Sequence, residues 1–449
     1  VLKSNTGTSL TDPANWDGSA LPGSLDIATW GNAIGGKSLG GALTWASNTS
    51  PSYQGIKVLD ATTNIAITSA GGASTLTLGS GGIDMSAAAV NLSIHNTTTA
   101  GTSLGITIGA NQSWNVGAGR TLAVGNSGTT ITLSNKLTKS GSGTFTLGGT
   151  GATTLTGAGE IEIDGGIFAN NLQTGSSATG RSGATTLTSG TLSIATSINM
   201  FGTGDINLNG GTIGSFSTTG RDIGTANAVK IGGNIQIGGS VSGVLGSGYV
   251  RFGGATDLGG AVRTINSQAT GVFSGNGAGA IFNGIVSNGG ITKEGSGYLT
   301  LGNNSNSFSG AVTINGGNLA FSSKALANAS SVTLANSGVW LVIGENGAGI
   351  THDIKNLSGV SGSIIRSDFG ISGTSTSRIL KIDQSAAGEF AGSFIEGSGG
   401  RTIALIKTGT AALTLSGTGG YSAGTTLSQG TIIATSANAL GSGGTVTIN

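Results

Sequence analysis

Residues 291–343 read I-T-K-E-G-S-G-Y-L-T-L (291–301), A-V-T-I-N-G-G-N-L-A-F (311–321) and V-T-L-A-N-S-G-V-W-L-V-I (332–343), with short polar loops between. Apolar residues alternate with small polar ones, and Gly, Asn and Ser punctuate the runs. The first apolar residues of successive runs are Leu299, Val312, Leu319, Val332 and Val339, in steps of 13, 7, 13 and 7. A pair of steps closes every 20 residues, which is the mark of a chain wound into stacked coils. The expected fold is all-β: a parallel β-solenoid of about 20 residues per coil, and hence about 20 to 22 coils over 449 residues.

Composition agrees with a solenoid and excludes several alternatives. There are 87 Gly but only 3 Pro, and Val, Ile and Leu recur periodically, unlike a disordered tract. Gly has no strict period of three, so the chain is not collagen. Charged residues make up 8%, against about 25% in an average soluble domain, so Ser, Thr, Asn and Gly must cover the surface. Net charge is +1 and the 19 Lys and Arg are scattered singly, which disfavours nucleic acid and acidic membrane surfaces as partners. Without Cys there is neither a disulfide framework nor a thiolate metal site. The longest apolar run, Val339 to Ile343, is far too short to span a bilayer. Val1 opens directly in polar sequence, so the chain reads as a mature or trimmed product.

All three prolines (Pro13, Pro22, Pro51) and three of the five tryptophans (Trp16, Trp30, Trp45) precede residue 52. An open coil end exposes apolar side chains and a strand edge, so residues 1–60 are read as an N-terminal cap with the first coils and residues 61–449 as the repeat array. Within the array, I-A-I (65–67), L-T-L (76–78), I-T-I (106–108) and I-T-L (131–133) alternate with period two, as half-buried strands do. Helical periodicity is absent, save for one turn expected over Lys324 to Ser330.

Two units recur. The shorter is apolar-x-apolar, then Asn or Asp with Gly-Gly, then an apolar residue: I-E-I-D-G-G-I (161–167), I-N-L-N-G-G-T-I (206–213) and V-T-I-N-G-G-N-L (312–319). Asn/Asp-Gly supplies the left-handed backbone of a sharp corner at low steric cost. The longer unit opens K-S-G-S-G-T-F-T-L (139–147), K-E-G-S-G-Y-L-T-L (293–301) and K-T-G-T-A-A-L-T-L (407–415). Its last two copies later run K-A-L-A-N-A-S-S-V-T-L (324–334) and N-A-L-G-S-G-G-T-V-T-I (438–448). An isolated half copy is T-L-S-I-A-T-S (191–197).

These residues resemble the autotransporter-associated β-strand repeat of large bacterial surface proteins. The opening T-D-P-A-N-W-D-G-S-A-L-P-G-S-L-D-I-A-T-W (11–30) is similar to the start of such proteins. The resemblance implies a secreted, right-handed parallel β-helix on the outer cell surface. In that family the carboxyl end often leads to an outer-membrane barrel; the sequence here ends in G-G-T-V-T-I-N (443–449), inside a repeat.

Candidate chemistry is sparse. Glu160, Glu162 and Asp164 share a strand face at a spacing of about 6.6 Å, near that of a glycosidase carboxylate pair. A solvated strand edge with a turn residue at Asp164 accounts for them more simply. His352 and Asp353 are expected as a surface pair on opposite faces, and His95 stands alone. The Gly295-Ser-Gly297 type of loop lacks the following helix of a phosphate site. Lys139, Lys293 and Lys407, which precede these loops, are expected to point outward. Trp340 is assigned to the core, while Tyr298 and Tyr421 could stack on sugars. No catalytic, cofactor-binding or metal-binding residue is assigned, and no cofactor is expected. The expected function is an extracellular structural or adhesive solenoid, not an enzyme. Its expected partners are a host-cell or glycan surface, or copies of itself joined end to end through open strand edges. The alternative is a β-helix polysaccharide lyase or glycan-binding protein.

Overall fold

The alternating runs form strands, and each strand pairs with one a full coil further along the chain. In the computed structural model, Val312 pairs with Val332 and Thr313 with Thr333, twenty residues on. Apart from the short antiparallel pair Val272–Phe273 with Gly277–Ala278, the pairs between described strands are parallel. The structure describes residues 1–3, 7–31, 41–45, 48–69, 71–96, 102–173, 175–195, 200–239, 243–273, 277–344, 349–367, 377–397 and 400–449. Ser197, in the half copy at 191–197, lies outside them.

The chain is a β-solenoid of about 15 turns. The 20-residue step expected throughout holds where it was read, from 291 to 343, and elsewhere the coil is usually longer. Ile161 pairs with Thr185, 24 residues on, Thr256 with Val286, 30 on, and Ile83 with Trp114, 31 on. Extra residues sit in the corners, where backbone meets water and length costs little.

Two units are distinguished, Val1–Phe216 and Ser217–Asn449. In the first, each coil presents up to three strands. Side chains of one parity point inward and stack coil upon coil. One ladder runs Ile56, Ile83, Trp114, Lys139, Ile163, Leu187 and Leu208. A second runs Ile65, Leu92, Leu122, Phe145, Phe168, Leu192 and Ile213. Trp114, Phe145 and Phe168 pack edge to face at 5.0 and 4.8 Å, the geometry aromatic quadrupoles favour. Opposite parity faces water: Thr77, Thr107, Thr132 and Thr156 form one outward row, a half-exposed setting that suits β-branched Thr.

At the amino end of this unit, Leu2 and Ser9 form parallel bridges to Thr29 and Thr44. Two short 3₁₀ turns, Pro13–Asn15 and Asp17–Ser19, follow. Trp16 packs edge-on to Trp30 at 5.6 Å, and its Nε1–H donates to the Leu10 carbonyl at 3.2 Å.

The second unit repeats the arrangement. Leu299, Leu319, Leu341, Ile365 and Phe394 form one inward ladder. Ile235, Ile265, Lys293, Ile314 and Leu334 form another. The turn expected near Lys324 is present, with Ala325, Ala327 and Ala329 N–H groups each bonding the carbonyl three residues back.

Leu301 is fully buried between Phe282 and Phe321 of the adjoining coils. A carboxylate there has no partner, so Leu301→Asp is expected to cost at least about 3 kcal/mol. Limited proteolysis should then cut first in these three coils. Wild-type melting with an unchanged cleavage map would contradict the ladder.

Candidate functional site: lysines at the coil corners

The structure places Lys139, Lys293 and Lys407 inside, not outside. Each is 0% exposed. Each occupies an inward ladder position that neighbouring coils fill with an aromatic or aliphatic residue: Trp114 and Ile163 beside Lys139, Ile265 and Ile314 beside Lys293, Ile382 and Leu427 beside Lys407. Strand parity requires this. In L-T-K (137–139), I-T-K (291–293) and L-I-K (405–407) the lysine has the parity of the buried Leu or Ile two residues before it. Charge argued for the outside, but a lysine stem is four methylenes long and can lie in an apolar ladder.

Each ammonium then meets the same three acceptors. Lys139 Nζ donates to the carbonyls of Ser140 (2.8 Å), Gly141 (2.8 Å) and Gly165 (3.0 Å). Lys293 Nζ donates to Glu294 (2.6 Å), Gly295 (2.8 Å) and Gly316 (2.9 Å). Lys407 Nζ donates to Thr408 (3.0 Å), Gly409 (2.6 Å) and Gln429 (3.0 Å). Two acceptors belong to the lysine's own corner and the third to the corner of the next coil. Three N–H donors meet three carbonyls, so the amine closes one corner and ties it to its neighbour.

Two glycines frame the clamp. Gly141, Gly295 and Gly409 take φ of 73°, 79° and 78°, which turns the second carbonyl toward the amine. In the next coil Gly166, Gly317 and Gly430 are also left-handed, at 61°, 57° and 75°. A Cβ on Gly166 or Gly430 would lie 2.8 Å from the lysine Nζ. The Asn/Asp-Gly-Gly unit thus provides the seat for the amine of the preceding coil. Burial pushes the Lys293 ammonium down to about 7 and that of Lys139 to about 8, and Lys407 shifts the same way.

Other candidates resolve differently. Glu160, Glu162 and Asp164 lie on the outer face and are engaged by adjoining coils. Lys136 stands 2.8 Å from Glu162 and 3.6 Å from Glu160. Thr138 and Thr188 donate to Glu162 at 3.2 Å, and Ser189 donates to Asp164 at 3.0 Å. The Lys136 hydrogen bond holds Glu162 below the usual carboxylate range. A general acid needs the opposite shift.

His352 and Asp353 do face opposite sides, but they are not a surface pair. His352 is 0% exposed and meets the Phe321 ring edge-on at 5.4 Å, while Asp353 reaches Lys381 at 3.7 Å. Burial, then the Arg378 charge, push the imidazole down to about 4, so it is neutral at neutral pH. Its parity matches the buried Leu380. His95 Nδ1 contacts its neighbour's carbonyl, that of Asn96, at 2.9 Å.

Trp340 is half-buried on the outer face rather than in the core, with the Arg366 guanidinium 4.1 Å from its ring centroid. The run V-W-L-V-I looked uniformly apolar, yet parity sends Val339 and Leu341 inward and Trp340 outward. Tyr298 lies in the same outward row through Asn318. Tyr421 is fully buried, its hydroxyl 2.7 Å from Thr425 Oγ1. Among the described residues, no group of three or more His, Asp or Glu gathers as a metal site.

Because the folded state disfavours the charged amine, it binds fewer protons than the unfolded chain between about pH 7 and the ordinary lysine value near 10.4. Stability should therefore rise with pH across that window. Lys293→Met removes this gain and three donors, and is expected to cost about 1–3 kcal/mol at pH 9 and less at pH 7. Exposed Lys324→Met should stay within about 0.5 kcal/mol at both. Urea unfolding of the three proteins checks this; an equal, pH-independent effect at both lysines would contradict the clamp.

The family model that matches this chain is the passenger-associated-transport-repeat, over residues 137–168, 291–321 and 405–434. Each match begins two residues before a clamp lysine and contains the next-coil corner that receives it. No curated protein and no solved structure matches the chain significantly. The chain is a β-solenoid that carries three passenger-associated-transport-repeats, the repeat of autotransporter-passenger type.

Proposed function

We propose that this solenoid is an autotransporter passenger displayed at the outer cell surface or released from it, where it serves as a structural or adhesive scaffold and not as a catalyst. The observation that carries the reading is the coincidence of the three family repeats with the three lysine clamps. The repeat that identifies the passenger type is also the part that locks coil to coil. Such a scaffold folds by adding coils, each stabilised by its neighbour, which suits a chain that emerges progressively. Low charge and outward Thr rows support a surface built for standing in water rather than for binding polyanions.

Self-association is the second reading. Ile433, Val446 and Ile448 are 43%, 48% and 75% exposed on the strands Thr431–Ala434 and Val446–Ile448. Exposed apolar strand edges template further pairing. A partner chain would therefore meet the solenoid through backbone hydrogen bonds at these strands.

The test is protease treatment of intact producing cells. Peptides of this chain should appear in the medium while cytoplasmic markers stay whole. Release only after lysis would contradict the proposal.

A further inference from the structure

The strand Thr256–Ser267 loses register once with Val286–Glu294. Asp257 pairs with Ser287, but the next paired residue, Ala261, meets Gly289. Leu258, Gly259 and Gly260 therefore stand opposite the single residue Asn288. Bulges of this kind re-aim side chains and recur beside functional sites. The backbone is unusual on both sides: Gly259 and Gly260 have φ of 65° and 75°, and Asn288, a non-glycine inside a strand, has φ of 57°. A residue held in that region outside a turn is a pointer to function.

The bulge opens a surface groove of about 500 Å³, within the size range of small-ligand sites. Its walls are Asp257, Val262, Asn288, Ser309 and the glycine backbone at 259–260 and 289–290. Asp257 Oδ1 accepts the Gly259 N–H at 2.8 Å and the Asn288 Nδ2–H at 3.2 Å, which fixes both side chains. Arg263 Nε–H donates to the Leu258 carbonyl at 2.8 Å and pins the bulge beside them. The second carboxylate oxygen of Asp257, the amide oxygen of Asn288 and the Ser309 hydroxyl have no protein partner. Val262 is 55% exposed and supplies an apolar wall.

The groove thus offers two strong acceptors and a hydroxyl, preorganised, beside a small apolar surface. A ligand that matches carries several hydroxyl donors on one edge and C–H groups on a face, with no negative charge to meet Asp257. We propose that this groove is a binding subsite for a neutral hexopyranose, with vicinal hydroxyls donating to Asp257 and Asn288 and a ring face against Val262. The inference deepens the adhesive reading above and rests on it for its biological setting.

The test is saturation-transfer NMR with neutral gluco-, galacto- and manno-oligosaccharides and their uronate counterparts, on the wild type, Asp257→Asn and Ser309→Ala. Asp257→Asn keeps the oxygen that holds Gly259 and Asn288 but turns the free acceptor into a donor. The wild type should bind at least one neutral sugar, unchanged by a chelator. Both variants should bind it at least tenfold more weakly while melting as the wild type does. No neutral-sugar binding, a preference for uronates, loss on chelation, or variants that bind like the wild type would overturn the proposal. The two readings fail separately. Cells bound equally by wild type and variants, with no sugar binding, would remove the groove alone. Sugar binding without attachment to any cell surface would remove the adhesive role alone.

Discussion

In a parallel solenoid, strands hydrogen-bond along the stack, but the corners between strands do not follow from that pairing. Corner carbonyls that turn inward need donors, because an unpartnered buried carbonyl costs about 1–3 kcal/mol. At three coils this chain meets the need with a lysine drawn from the apolar ladder itself. The stem replaces an isoleucine or leucine, and the ammonium reaches the corner. The rest of the repeat follows from that contact. Left-handed glycine turns the carbonyls in, and a second glycine, in the next coil, leaves room for the amine. The third acceptor, one coil on, converts a corner cap into a tie between coils.

Much of the fold was legible in the residues. Alternation in I-T-I (106–108) and I-T-L (131–133) gives strand and parity at once, and Asn-Gly-Gly gives the corner. Coil length was legible only locally. The 20-residue step at 291–343 is real, but corners elsewhere absorb up to 11 more residues, as between Ile83 and Trp114. Corner loops carry no periodic signal, so their length leaves no trace in a hydrophobic pattern.

The clamp was hidden for a different reason. Parity in L-T-K and I-T-K already placed the lysines inside, and the same rule placed His352 inside and Trp340 outside. Residue-type expectation overrode parity in all three cases. A buried amine is costly only when its donors go unmet, and the sequence does not announce three carbonyls converging from two coils. The groove at Asp257 was equally silent, since Gly259-Gly260 resembles the other glycine corners and the left-handed Asn288 has no sequence signature. Regular coils set the frame, and the chemistry a ligand would meet lies where one coil departs from it.

The most direct measurement of the central claim is amine acetylation of the native chain followed by mass spectrometry. With three buried, fully hydrogen-bonded ammonium groups, Lys139, Lys293 and Lys407 should stay unmodified under conditions that label the exposed Lys57 and Lys324, and should react once the chain is unfolded. Labelling of all five lysines at similar rates in the native state would contradict the account.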